Sequence, residues 1–273
     1  MLSVSIGPLA LPLLPLASLL ALVAGAWLAG RLVRRTDPQA GPRVGDALWL
    51  AALAALLAGR LGHLLLHASA YAAQPWAMLD VRDGGLHLPT AAVAGLAFLA
   101  WRLRRQRAWW RAAGGGATLA LAIVGAAALL AQRHAVHQPP DLMLSDLQGA
   151  PVALRSSLQG RPAVLALWAT WCGVCQRELP LLQQAQQRWP QVQVVYVNQA
   201  ESPEVVRRHL SAQAAPAAPV WLDPQAQLGA LAGSRALPTL LFYTADGQLV
   251  DTHVGLLNGP ALALRLQALT VPR

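Results

Sequence analysis

A chain of 273 residues has room for two modest domains, and its halves differ in kind. Of 21 basic residues, all arginine, 12 fall in residues 1–137 against 4 acids, while residues 138–273 hold 9 against 8, so the net +9 belongs to the first half. That excess lies in short segments between uncharged runs, which removes the argument for nucleic acid and points to a membrane; two cysteines are too few for a multi-bridge scaffold or a four-cysteine zinc site.

Residues 1–30 carry no charge. Leu9 to Leu28 has the length of about 20 apolar residues that covers a bilayer core. No basic residue precedes Arg31, so the basic region of a signal peptide is missing and the run reads as a retained helix, despite Ala24-Gly25-Ala26. Arg31, Arg34, Arg35 and Arg43 follow. Ala47 to His67 is a second run, interrupted by Arg60 and His63, and a weakly charged loop covers 68–85. Leu86 to Trp101 is short for a span and is expected to extend at both ends. Arg102, Arg104, Arg105, Arg107 and Arg111 then mix with Trp101, Trp109 and Trp110, as at a cytoplasmic membrane edge. Ala112 to Ala131 is rich in Gly and Ala, which suits close helix packing. Placing both arginine-rich loops in the cytoplasm gives a domain over 1–133 of about four transmembrane helices, with the N-terminus and everything after Arg133 outside.

Residues 134–140, with Gln138-Pro139-Pro140, read as a short stiff linker, and 141–273 alternate strand and helix patterns. Leu142–Leu147 and Val152–Leu154 flank Gln148-Gly149 as a hairpin. Ala163–Ala169 and Val192–Asn198 are continuous apolar runs expected of buried strands. Gly173–Trp189 and Glu204–Gln213 read as helices, and Pro219–Leu222 as a short strand in an insertion. Leu240–Tyr243 and Leu249–Val254 flank the turn Ala245-Asp246-Gly247-Gln248, and Pro260–Leu269 closes with an amphipathic helix.

The chemistry concentrates in Trp171-Cys172-Gly173-Val174-Cys175, between a buried strand and a helix. Two cysteines three apart at a helix start are close enough to bridge. The positive end of the helix stabilises a thiolate there. Cys172 is expected at the helix start as the exposed nucleophile, with Cys175 one turn in, more buried, as the resolving thiol of a redox-active disulfide. A zinc site needs two further ligands, and His137 and His209 are not spaced for it, so no metal is expected.

Residues 141–270 resemble the TlpA/ResA-like branch of the thioredoxin family. The matching stretches are Asp146-Leu147-Gln148-Gly149 with Val152-Ala153-Leu154, then Leu167-Trp168-Ala169-Thr170-Trp171 with the cysteine motif, Glu178-Leu179-Pro180, and Ala236-Leu237-Pro238-Thr239. The resemblance implies an α/β thioredoxin-like domain with a central mixed sheet flanked by helices. It implies that Pro238 is the family's cis-proline beside the cysteines. It also implies that Glu178 is the acidic residue near them, able to shuttle protons and to raise a thiol pKa by repulsion. Thioredoxins proper carry a buried Asp in the preceding strand; the matching position here is Ala166, which puts more weight on Glu178.

Residues 44–101 resemble the N-terminal part of prolipoprotein diacylglyceryl transferase, a family that also starts with its N-terminus outside and transfers diacylglycerol from phosphatidylglycerol. The residues are Gly59-Arg60-Leu61-Gly62-His63-Leu64-Leu65-Leu66-His67 and Gly84-Gly85-Leu86. The match is truncated. The family has about seven spans, its functional histidine position holds Pro89 with His87 two residues early, and its later signature is replaced by the redox half. Loss of the transferase activity is therefore expected. Two readings of Arg60 stand: contact with a lipid phosphate, or snorkelling or pairing with Asp46 or Asp80. His63 and His67 are one helical turn apart, a metal-compatible spacing, but with no third ligand in view polar packing is the expectation.

The expected function is a membrane-anchored, extracytoplasmic thiol–disulfide oxidoreductase of the protein-disulfide reductase type in a bacterial plasma membrane. Its partners are a disulfide-containing protein substrate, a separate membrane thiol-electron donor and membrane lipids. Thiol exchange calls for no cofactor. The alternatives for the membrane half are diacylglyceryl transferase-type lipid chemistry or a lipid-binding anchor with no activity of its own.

Overall fold

The computed structural model describes residues 3–6, 9–34, 37, 41–104, 107–133, 138–212 and 218–270. The chain divides into two compact units, Leu13–Arg133 and a second that joins Met1–Pro12 to His134–Arg273. Of the expected linker 134–140, residues 134–137 lie outside the described residues.

The first apolar run is not one helix. Strands β1 (Ser3–Ile6) and β2 (Leu9–Pro12) pair antiparallel. Helix α1 (Leu13–Arg34) begins only after Pro12, so the spanning stretch shifts from Leu9–Leu28 to Pro15–Arg34. Pro15 is tolerated because the first-turn N–H groups of a helix have no partner within it. Helix α2 (Gly41–Leu66) leads through α3 (Ala68–Tyr71) and two 3-10 turns, Pro75–Leu79 and Val81–Asp83, to α4 (Leu88–Leu103) and α5 (Arg107–Arg133). Among the described residues three stretches, Pro15–Arg34, Arg43–Leu66 and Trp109–Leu130, are long and apolar enough to cross a membrane. The third expected run does not lengthen at its start: the chain turns at Gly84, with φ +72°, and α4 begins only at Leu88, giving 16 residues.

Small residues set the approach of the helices. A Cβ on Gly25 of α1 would lie 2.6 Å from the carbonyl oxygen of Gly116 on α5, and one on Gly116 would collide with the Gly25 carbonyl. Close backbone contact of this kind is how helices associate where apolar burial gives no driving force. At the arginine-bearing end, Ala29, Val33, Val44, Ala47, Leu103, Trp109, Ala112 and Ala113 form a buried cluster.

In the other unit, strands β3 (Met143–Asp146), β4 (Pro151–Ala153), β5 (Ala163–Trp168), β6 (Gln193–Gln199), β7 (Val220–Asp223), β8 (Thr239–Tyr243) and β9 (Leu249–Val254) form a seven-stranded mixed sheet ordered β4-β3-β7-β6-β5-β8-β9. Helices α6 (Leu154–Ser157), α7 (Gly173–Arg188), α8 (Pro203–Ala212), α9 (Gln227–Leu231) and α10 (Gly259–Thr270) connect or close them. The expected strands and helices are present with small shifts at their ends. Strand β7 is the exception in role: it lies inside the sheet, parallel to β6 and antiparallel to β3, rather than in an insertion. Helix α9 was not expected; the Asp223 carboxylate starts it by accepting the N–H groups of Gln227 and Leu228 at 3.0 and 2.8 Å. Alternation divides the core. Val164, Ala166 and Trp168 of β5 face the cluster that holds both cysteines, whereas Leu165 and Leu167 face the opposite one.

Candidate active site

Strand β5 ends at Trp168, and Ala169 turns the chain toward the cysteines by accepting the Cys172 N–H at 3.2 Å. Cys172 caps α7 with extended backbone, φ −86° and ψ 93°, and its Sγ accepts the Cys175 N–H at 3.2 Å. The two cysteines form a disulfide with Cα atoms 5.3 Å apart. Cys172 is 7 % exposed and Cys175 1 %, so the expected order of access holds, although Cys172 presents only a small part of its surface. Trp171 stands out at 71 % exposure, immediately before the pair. A thiolate at Cys172 would receive a backbone N–H and the positive end of α7, the two features that lower a cysteine pKa.

Glu178 lies one turn beyond Cys175 on α7, a spacing that puts side chains about 5–6 Å apart at Cβ. It is buried, and its Oε1 accepts the Leu257 N–H at 3.1 Å. Burial pushes its carboxyl up to about 7, with the Leu257 hydrogen bond working the other way. Tyr196 of β6 pairs in register with Ala166, the position where thioredoxins proper carry an Asp. Its hydroxyl is fully buried and has no hydrogen-bond partner among the described residues, and its pKa is raised, first by burial and then by the charge of Glu178. The Leu237–Pro238 bond is cis. Thr239, the next residue, pairs with Leu167 of β5, and Leu237 packs against the cluster that contains Cys172 and Cys175. The Pro238 carbonyl accepts the Gly255 N–H at 2.8 Å.

One anchor of the loop was not read from sequence. The Glu201 carboxylate accepts the Thr170 N–H at 2.7 Å, the Thr170 hydroxyl at 2.5 Å and the Asn198 side-chain amide at 2.7 Å. Gln176 holds the Thr170 carbonyl from the helix side at 2.8 Å. Thr170, the residue before Trp171, is thus tied to Glu201 just after β6 and to α7. The His209 ring lies 5.8 Å from that of Trp168; among the described residues no group of three metal-ligating side chains is present, and His137 lies outside them.

In the helical unit Arg60 pairs with Asp83 at 2.8 Å, not with Asp46 or the Asp80 carboxylate. Its three nitrogens also donate to the carbonyls of Ala77, Met78, Asp80 and Gly85 at 2.9–3.3 Å. Asp83 accepts the Tyr71 hydroxyl at 2.8 Å and the Gly85 N–H at 2.9 Å. His63 stacks on His67 with ring centroids 4.5 Å apart and contacts the Tyr71 hydroxyl at 3.3 Å. Arg60 is therefore bonded through all three side-chain nitrogens to the loop after α2. Gly85 admits this arrangement because a Cβ there would meet His63 and Arg60 at 2.6 and 2.7 Å.

Thioredoxin 1 of Synechococcus elongatus is 34 % identical to the chain over 103 residues, covering 37 % of this chain and 74 % of that protein. The chain belongs to the thioredoxin family. Residues 136–252 of this thioredoxin-family chain match the AhpC/TSA family. Thiol-disulfide oxidoreductase ResA of Halalkalibacterium halodurans is 28 % identical over 124 residues, covering 45 % of this chain and 69 % of that one. A solved structure, a secreted Mycobacterium tuberculosis disulfide oxidoreductase homologous to E. coli DsbE, is 27 % identical with a TM-score of 0.41, covering 47 % of this chain and 96 % of that one. Residues 2–132 match prolipoprotein diacylglyceryl transferase. With its cysteine pair bridged at a helix start and its sequence likeness to ResA and thioredoxin 1, the chain is a thiol–disulfide oxidoreductase.

Of the residues missed, Glu201 had no periodic signal, because its partner Thr170 lies 31 residues away in sequence. Tyr196 is one residue of an apolar run, and only strand register brings it opposite Ala166.

Proposed function

We propose that the chain is a membrane-anchored protein-disulfide reductase whose redox domain works on the extracytoplasmic side. The observation that carries the mechanism is the placement of the more accessible cysteine, Cys172, as the cap of α7, with Cys175 buried behind it. In the reduced state Cys172 thiolate attacks a partner disulfide, forms a mixed disulfide and releases one partner thiolate. Cys175 then attacks Cys172 Sγ, which re-forms the Cys172–Cys175 bond and frees the second partner thiol; two electrons pass to the partner. Glu178, with a carboxyl near 7, takes the proton of Cys175 as that thiol attacks and returns it on reduction. The exposed Trp171, next to Cys172 in the chain, is the side chain on which the partner chain docks.

The chain has two cysteines, so a separate membrane dithiol returns the electrons. The apolar helices, the match to a membrane transferase and the arginine-rich loops support anchoring with both termini outside. The commitment of Arg60 to protein carbonyls and Asp83 favours an anchoring membrane half over one that grips a lipid phosphate. The direction of electron flow is tested by the reduction potential of the full chain. A reductase lies near the thioredoxin value of about −270 mV, and a result near the strong-oxidant value of about −120 mV overturns the assignment. Placement is tested with a reporter fused after Arg273: activity confined to the cytoplasm rejects it.

A further inference from the structure

Helix α4 is too short to cross a bilayer alone: its 16 residues rise about 24 Å against about 30 Å of hydrocarbon. The chain before it folds back along α2. His87 N–H donates to the Gly59 carbonyl at 3.0 Å, the Thr90 hydroxyl donates to the Ala58 carbonyl at 3.2 Å, and Arg60 reaches four carbonyls between Ala77 and Gly85. Arg60 precedes Leu66, the last residue of α2, by about 9 Å of helix rise, inside the apolar stretch Arg43–Leu66. The segment between the helices therefore lies level with the final turns of a spanning helix.

Non-helical backbone at that depth needs its polar groups satisfied by protein. Arg60 does this with donors that a helix would otherwise supply, and the buried Asp83 neutralises it while holding Tyr71 and the Gly85 N–H. Large apolar side chains of the same segment are exposed: Trp76 is 83 % exposed, Leu79 76 % and Val81 69 %. Leu65 and Leu66 at the end of α2 and Leu88 at the start of α4, the helix ends that flank the segment, are exposed as well. Large apolar side chains exposed this densely along one short segment mark contact with a partner or a membrane. Arg82, also exposed, limits the depth, because its long side chain reaches headgroup phosphates only near the interface.

We propose that residues 75–86 are a re-entrant segment at the acyl-chain border of the extracytoplasmic leaflet, with Trp76, Leu79 and Val81 in lipid and Arg60 holding the backbone from the protein side. The inference rests on the membrane-anchored reading above. It makes the segment and α4 together the third crossing, which preserves the even number of crossings that the arginine pattern requires.

The test uses the full chain in nanodiscs of phosphatidylcholine and phosphatidylglycerol. Cys172→Ala and Cys175→Ala remove the native thiols, and Leu57→Cys, Trp76→Cys, Leu79→Cys or Arg82→Cys, one at a time, carries a spin label. The expected ratio of oxygen to water-soluble nickel accessibility at 76 and 79 is several-fold above that at 82 and close to that at 57 in mid-span. Ratios at 76 and 79 equal to that at 82, with 57 still shielded, overturn the re-entrant segment alone. A water-accessible label at 57 overturns the membrane-anchored reading itself. Adding Arg60→Gln to Trp76→Cys is expected to lower the ratio at 76 toward that at 82, and an unchanged ratio removes Arg60 from the proposal. The measurements with Arg60 intact stand by themselves if that variant does not fold.

Discussion

Glu178→Gln isolates the cost of a buried carboxylate beneath the disulfide. Glutamine keeps the shape and an acceptor for the Leu257 N–H but carries no charge at any pH. The folded carboxyl lies at about 7 against an ordinary value of 4.5. The folded state thus binds the proton more tightly than the unfolded chain, and the stability this group contributes is fully present below about pH 4.5 and lost as pH rises through about 7. At about 1.36 kcal/mol per pH unit the whole loss is about 3 kcal/mol, most of which falls between pH 5 and pH 8. The new amide adds a constant offset, because its N–H groups need partners the carboxyl did not, but that offset does not vary over this range. The assay is hydrogen exchange of the β5 and β6 amides in the oxidised full chain, with wild type and variant compared at each pH so that intrinsic exchange rates cancel. The disulfide keeps both thiols from titrating. The stability difference should move toward the variant by roughly 2 to 3 kcal/mol from pH 5 to pH 8. Parallel pH dependences would refute the reasoning, since they would mean that Glu178 ionises in the folded state as it does in water.

Three further expectations follow from the same geometry. Glu201→Ala removes the acceptor of three hydrogen bonds and should cost about 2 kcal/mol, the range for bonds to a charged group, while slowing thiol exchange; an unchanged exchange rate would show that Thr170 does not need this tether. Cys175→Ser should accumulate a mixed disulfide on Cys172, visible as a mobility shift that reductant reverses, and Cys172→Ser should accumulate none. Gly116→Leu forces α1 and α5 apart at the Gly25 carbonyl and should lower the thermal stability of the detergent-solubilised chain by several degrees, whereas Gly114→Leu, where a Cβ meets nothing within 4 Å, should not.

The sequence by itself determined that this chain has two kinds of half, that the strand before the CxxC motif is buried, and that the motif opens a helix. Those features are local: apolar run length, the pattern of α7 and the turn residues Gly149 and Gly247, which take φ of +86° and +73°. The resemblance also anticipated the cis bond at Pro238 and an acid at Glu178. Local patterning misplaced the first helix, because Leu9–Pro12 is apolar enough for either a span or a strand and pairing with Ser3–Ile6 decides between them. It assigned β7 to an insertion, because strand order is a property of the sheet rather than of four residues. The charge pairing was likewise out of reach: Asp83 rather than Asp46 or Asp80 meets Arg60 because the loop folds back along α2. The active site divides in the same way. The cysteines were legible as a motif. Only tertiary structure buried Glu178 deeply enough to shift its carboxyl, set Tyr196 opposite Ala166, and brought Glu201 to Thr170, since each depends on groups far apart in sequence sharing one low-dielectric space.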